Sequence, residues 1–287
     1  MRVGFIGLGT MGLPMANRLR QRDIDLLGWD IDAAVRERFD NRAATLAELA
    51  ETCSVFITMV PEGKQVAGVY RQLLEAGVAH ACLFIDCSTI DVETTRRLAA
   101  ELAAAGHGFV DAPVSGGNEA AARGSLSFMI GGAAADIERA RPVLEAMGER
   151  LTEFGQAGSG QAAKACHNMI CGITALGVCE AFALADALGL DPGRFYELCR
   201  GAAAQSWILE NRCPVPGPAV DAPASNGYAP GFAARLMAKD LGLAQQAASA
   251  CGQETRFGAE AARRFREFAE SGGGDLDFSA IYRSIRG

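Results

Sequence analysis

The run Gly7-Leu8-Gly9-Thr10-Met11-Gly12 follows the apolar stretch Val3-Gly4-Phe5-Ile6 and opens a helix-like stretch, Met11 to Arg20. A glycine loop between a strand and a helix can hold a pyrophosphate. Gly7 permits the tight turn, Gly9 lets phosphate approach the backbone, and Gly12 allows the helix to pack closely on the strand. Leu8, Thr10 and Met11 complete the expected cradle, in which free amides and the dipole of the helix N-terminus hold the charge. Asp30 closes the next apolar run, Leu26-Leu27-Gly28-Trp29. A carboxylate there would accept hydrogen bonds from an adenosine ribose and repel a 2′-phosphate, which predicts NAD rather than NADP.

Three more segments fall where strands would end, the place ligands occupy in open α/β sheets. They are Met59-Val60-Pro61, Ser88-Thr89-Ile90 and Asp111 to Gly117. Ser115 offers a hydroxyl and Gly116 and Gly117 offer amides, donors that suit a carboxylate; the same residues could equally form a structural turn. Further on, Lys164 and Asn168 are spaced to share one helix face, among Ala163, Ala165 and Cys166. In composition alone, the commoner fate of such a lysine is to lay its stem on an apolar surface with its ammonium in water. A lysine desolvated toward a cleft would instead have a lowered pKa and could exchange protons near neutrality. A further fact is needed to choose the second.

The elements that must position these residues come in two kinds. Strands are predicted at Val3 to Ile6, Leu26 to Trp29, Val55 to Met59, Leu83 to Ile85, Gly108 to Val110 and Ser127 to Ile130, with a weaker one at Leu151 to Phe154. Short apolar strands separated by helices imply a parallel sheet covered on both faces. After about Gly160 the spacing becomes helical: Gln161 to Leu188, Asp191 to Gly201, Met237 to Ala250 and Thr255 to Ser271, with a break rich in proline and glycine from Cys213 to Gly231. A break that long in a compact domain is usually functional or mobile. The expected fold class is α/β: a Rossmann-type, doubly wound, mainly parallel sheet over residues 1–160, then an all-α domain over 161–287.

Composition narrows the partners. A net charge of −7 with no basic patch interleaved with aromatics argues against nucleic acid. The nine cysteines are odd in number, and none forms a Cys-x-x-Cys pair. With three histidines, they indicate neither a metal site nor a disulfide framework, but a reducing compartment. The chain enters its first strand with no charged leader, and no run of about 18 apolar residues is apparent, which predicts a cytoplasmic protein with no membrane contact.

The segments Gly4 to Gly12, Asp111 to Gly117, Gly160 to Asn168 and Leu236-Met237-Ala238-Lys239-Asp240-Leu241 together resemble, in order and approximate spacing, the β-hydroxyacid dehydrogenase family. Pro214-Val215-Pro216-Gly217, the loop to Gly231-Phe232, and Asp277-Phe278-Ser279 are similar to its 3-hydroxyisobutyrate dehydrogenase members. The resemblance implies NAD-dependent oxidation of a small β-hydroxy acid to its semialdehyde, in a homodimer or homotetramer without a catalytic metal. It implies that Lys164 is the general acid/base and that Asn168 orients substrate and lysine. It implies that Ser115, Gly116 and Gly117 take the substrate carboxylate, and that Val60, Pro61, Gln65, Thr89 and Lys239 meet the cofactor. His167 stands where the family usually has Asn, Gln65 replaces an Asn, and Arg212-Cys213 replaces Tyr-Asn in a loop expected to shape the substrate pocket. These departures leave the substrate open among 3-hydroxyisobutyrate, L-serine, and tartronic, succinic or glyoxylic semialdehyde in reverse. A binding module that holds NADH without turnover is the remaining reading.

Overall fold

The computed structural model describes residues 2–79 and 81–286, and their contacts divide the chain into two units, Met1–Lys164 and Ala165–Gly287. The division falls a few residues beyond the expected 160/161, so that Lys164 closes the first unit.

In the first unit β1 (Val3–Ile6), α1 (Gly12–Gln21) and β2 (Leu26–Trp29) form the opening βαβ unit. The short helices α2 (Ala33–Arg36) and α3 (Leu46–Thr52) precede β3 (Val55–Thr58), α4 (Gly63–Ala76), β4 (Leu83–Asp86), α5 (Val92–Ala104) and β5 (Gly108–Asp111). Then come β6 (Val114–Ser115), α6 (Gly117–Arg123), β7 (Leu126–Gly132), α7 (Ala134–Met147) and β8 (Gly148–Gly155). The sheet order is β2-β1-β3-β4-β5-β7-β6, with β8 on β7. The first five strands are parallel, whereas β7 runs antiparallel to β5 and β6. Chain order reverses at β1, which lies between β2 and β3, and the glycine loop leaves the sheet at that switch point.

Residues alternate across the sheet as a period of two requires. Phe5, Val55, Ile57, Leu83, Ile85 and Val110 enter one apolar cluster; Ile6, Phe56, Phe84 and Phe109 enter the cluster on the other face. Phe56 and Phe84 lie 5.0 Å apart between ring centres, with Tyr70 edge-on to Phe84 at 4.9 Å, a favoured aromatic geometry.

The helix α8 (Ser159–Ala187) begins in the first unit and continues unbroken for 29 residues. The second unit otherwise comprises α9 (Pro192–Arg200), α10 (Trp207–Asn211), α11 (Ala234–Ala250), α12 (Arg256–Phe268) and α13 (Tyr282–Arg286) with short 3-10 turns. Its core gathers Phe182, Tyr196, Leu209, Met237, Leu241, Phe265 and Phe278. α8 is the one described helix long and apolar enough by composition to cross a membrane, with mean hydropathy 1.6 over its most apolar window. This corrects the expectation that no such stretch exists. Gln161, Lys164, His167, Asn168 and Glu180 interrupt the run, so a strict search for consecutive apolar residues passes over it.

Candidate active site

The glycine loop has the backbone its sequence calls for. Gly7 adopts φ +96°, and a Cβ there would strike the carbonyl of Met59. A Cβ on Gly12 would strike the Gly7 carbonyl, while Gly9 faces open space. Asp30 is tied to this loop: its Oδ2 accepts the Leu8 amide at 2.7 Å and its Oδ1 accepts the Asp32 amide at 2.9 Å. An open backbone at Gly9 and a carboxylate fixed at the end of β2 fit the phosphates and adenosine ribose of NAD. Arg36 donates to the Asp30 carbonyl at 2.7 Å, so its guanidinium serves the backbone of that turn.

The strand-end segments are joined by buried polar groups that sequence reasoning did not single out. The Val60 amide donates to Ser88 Oγ at 3.0 Å. Gln161 Nε2 donates to the Ser88 carbonyl at 2.7 Å, and Gln161 Oε1 accepts the Ile90 amide at 3.1 Å, which brackets Thr89. Asp86, wholly buried, receives Thr58 Oγ1 at 2.8 Å and the Ser88 amide at 3.1 Å; its Oδ2 meets no donor among the described residues. Burial pushes its carboxyl up to about 7 despite those bonds, and Asp111 adds to the rise. Asp111, its register partner on β5, accepts the Gly158 and Gln161 amides at 2.8 Å each, and burial raises it to about 6.

Ser115 ends β6 and Gly117 begins α6. Gly116 and Gly117 take φ +129° and +71°, a left-handed pair that β-carbons would strain. Pro61 lies between β3 and α4. Gln65 Oε1 accepts the Glu62 amide at 3.0 Å as one half of a capping box at the start of α4.

Lys164 is 8% exposed and Asn168 4%, one turn apart on α8. The stem of Lys164 is therefore covered and not laid on an open surface. In the second unit Asn168 Nδ2 donates to Asp240 Oδ2 at 2.6 Å, and its Oδ1 lies 2.9 Å from His167 Nδ1. Lys239 Nζ lies 3.1 Å from Asp240 Oδ1. Asp240, 3% exposed, is the residue the sequence reading passed over, although it stands inside the quoted motif Leu236 to Leu241. With both amide ends of Asn168 engaged, its orientation is fixed.

Cys213 is fully buried in the helical core. Arg212 lies over the Trp207 ring, 5.1 Å from its centre, with Nε 3.6 Å from buried Asp277. Asp277 also takes the Gly231 and Phe232 amides at 3.1 Å, so this cluster fastens the ends of the long break. A cleft of about 550 Å³ in the second unit, lined by Phe182, Leu190, Tyr228 and Arg283 among others, holds none of the expected catalytic or cofactor residues. Among the described residues no group of three or more His, Cys, Asp or Glu is arranged to hold a metal.

Two family models cover the chain. Residues 2–155 match the NAD binding domain of 6-phosphogluconate dehydrogenase, and residues 158–285 match the NAD-binding domain of NADP-dependent 3-hydroxyisobutyrate dehydrogenase. The 3-hydroxyisobutyrate dehydrogenase of Pseudomonas aeruginosa is 42% identical across 99% of this chain and 98% of its own. The NAD-dependent L-serine dehydrogenase of the same organism is 39% identical across 98% and 97%. A solved structure of Mycobacterium tuberculosis 3-hydroxyisobutyrate dehydrogenase with L-serine superposes with a TM-score of 0.93 at 39% identity, covering 100% of this chain and 99% of that one.

Proposed function

The chain belongs to the β-hydroxyacid dehydrogenase family, as an NAD-dependent hydroxyacid dehydrogenase of the 3-hydroxyisobutyrate dehydrogenase type, and from that premise we propose that its substrate is 3-hydroxyisobutyrate and its product methylmalonate semialdehyde. The relatives named 3-hydroxyisobutyrate dehydrogenase support the substrate, and the chemistry rests on the buried Lys164 with the fixed amide of Asn168 one turn along α8.

Bound NAD supplies the hydride acceptor. Lys164 Nζ takes the hydroxyl proton as the carbon is oxidised and returns it in the reverse direction. As an ammonium it also steadies the negative charge that develops on that oxygen. Asn168 holds the hydroxyl in line with Nζ, while Ser115 and the amides of Gly116 and Gly117 anchor the carboxylate and so aim the reacting carbon. Gly7 to Gly12, Asp30, Val60, Pro61, Gln65, Thr89 and Lys239 hold the cofactor, Gln65 from the capping box that opens α4. In this reading Lys164→Ala lowers kcat by about 10³-fold or more, with NADH affinity nearly unchanged, and an alanine variant of native turnover rules out the assigned role.

L-serine is the second reading, favoured by the L-serine dehydrogenase relative and by the Mycobacterium tuberculosis structure named with L-serine. The deciding experiment follows NADH absorbance with 3-hydroxyisobutyrate, L-serine, 3-hydroxypropionate, glycerate and 4-hydroxybutyrate in parallel, then the semialdehydes in reverse. The highest kcat/KM on 3-hydroxyisobutyrate is expected and would give valine breakdown as the setting; preference for serine selects the second reading. NADH binding with silence on every acid selects a binding module. The exposed Ile170 (64%) and Leu184 (61%) on α8 support self-association as a homodimer or homotetramer, testable by light scattering. We propose a cytoplasmic location, supported by the nine scattered cysteines; fly and mouse relatives are named mitochondrial.

A further inference from the structure

We infer that Asp111 is a positioning residue for Lys164, acting from the end of β5 as a tertiary cap on the first turn of α8; the inference rests on the reading of Lys164 as the proton-transfer group.

The first amides of a helix have no partner within it. At the start of α8 two of these orphan donors, Gly158 N and Gln161 N, are claimed by opposite oxygens of the Asp111 carboxylate at 2.8 Å each. A carboxylate held by amides on both oxygens fixes both the axial position and the rotation of the turn it caps. The negative charge also faces the positive end of the helix. Lys164 lies on the next turn, three residues after Gln161.

The neighbouring backbone is built around this contact. A Cβ on Gly131 of β7 would lie 2.6 Å from Asp111 Oδ1 and 2.8 Å from the Gly160 amide. A Cβ on Gly160 would lie 2.9 Å from Asp111 Oδ2 and would strike the Met129 carbonyl. Glycine at both positions is what lets strand, carboxylate and helix start meet without a side chain between them.

The second bond of the arrangement leads to the cofactor side. The Gln161 side chain donates to the Ser88 carbonyl and accepts the Ile90 amide. Ser88 Oγ in turn accepts the Val60 amide. Asp111 therefore sets one turn of helix that carries Lys164 on one side and, through Gln161, the Val60 and Thr89 loops on the other. A lysine and a cofactor loop indexed to one carboxylate keep the proton-transfer atom in register with the cofactor loops, and a displacement of about 1 Å in such a register costs on the order of 10²-fold in rate.

The test compares Asp111→Asn, Lys164→Ala and the double variant, reading kcat with saturating NAD and the best acid of the panel, and NADH binding by fluorescence. Asp111→Asn is expected to lower kcat about 10²-fold while NADH affinity stays within about threefold. The double variant is expected to be no slower than Lys164→Ala alone, because a residue that acts through the lysine has nothing left to position. Thermal melting reports whether Asp111→Asn folds. If it does not, Gly160→Ala, whose Cβ would crowd Asp111 Oδ2, is expected to lower kcat about tenfold, again without further loss in the Lys164→Ala background. Native turnover in folded Asp111→Asn, or a loss that multiplies onto that of Lys164→Ala, overturns the inference. Native turnover in Lys164→Ala instead overturns the reading on which it rests.

Discussion

Asp111 and Asp240 are both buried carboxylates serving α8, and the protein satisfies them in opposite ways. Asp111 meets backbone amides alone. Asp240 meets one side-chain amide, from Asn168, and one ammonium, from Lys239. Amides held by a folded backbone have no rotamers to freeze, so they fix a position closely. They carry no net charge, however, and do not fully replace water: burial still raises Asp111 to about 6. An ammonium neutralises the charge but arrives on a flexible stem. The first arrangement suits a fixed helix start, and the second suits a side-chain amide held in one orientation.

The sharpest way to break this comparison is Asp240→Ala. It strips Asn168 of its acceptor and removes the ion pair with Lys239, and a fall in kcat of about 10²-fold with retained NADH binding is expected in steady-state assays. Turnover within twofold of native would show that Asn168 is oriented without Asp240. Next in size is Gly160→Ala, where a Cβ has to push the Met129 carbonyl or the Asp111 carboxylate aside. Overpacking of this kind costs about 1–3 kcal/mol, read by urea unfolding; an unchanged midpoint would mean the helix start has room that the close approach denies.

The third prediction uses pH. Asp86 and Asp111 titrate near 3.8 when unfolded and at about 7 and about 6 when folded. Between those values the native state holds more protons than the unfolded chain, so their contribution to stability is full below about pH 4 and is lost as pH rises through 6 and 7. Asp86→Asn has no charge to bury, and its melting temperature is expected to gain on the native protein's between pH 5 and pH 8. A gap that stays constant with pH contradicts a raised Asp86. The smallest effect belongs to Gln65→Ala, which removes a neutral cap from α4 at a cost of about 1 kcal/mol in thermal melts and is expected to weaken NADH binding a few-fold. An unchanged NADH affinity would leave Gln65 a helix cap alone.

The fold was legible where periodicity is strong. The first two strands end where their apolar runs end, and the long helices of the second unit agree within a few residues. β6 was not legible: two residues, Val114 and Ser115, show no alternation, and their pairing with β7 comes from sheet geometry. α10 was hidden by its brevity, although Ser206 caps it by accepting the Leu209 amide. In the site, glycines and Asp30 could be read because their spacing follows a local turn. Asp86, Asp111 and Gln161 could not be given roles, since their partners lie 28, 50 and 73 residues away. Asp240 was within sight of a quoted motif, and the signal that could have found it is an acid flanked by lysine and leucine on a helix face.

The unbroken course of α8 has one more consequence. Lys164 and Asn168 are carried by consecutive turns of a single rod about 43 Å long, at 1.5 Å per residue over its 29 residues. Their spacing is a property of the helical repeat, like two marks engraved on one rule. The distance between Lys164 and Asn168 along the chain is therefore set by the helical repeat and not by the folding of a loop.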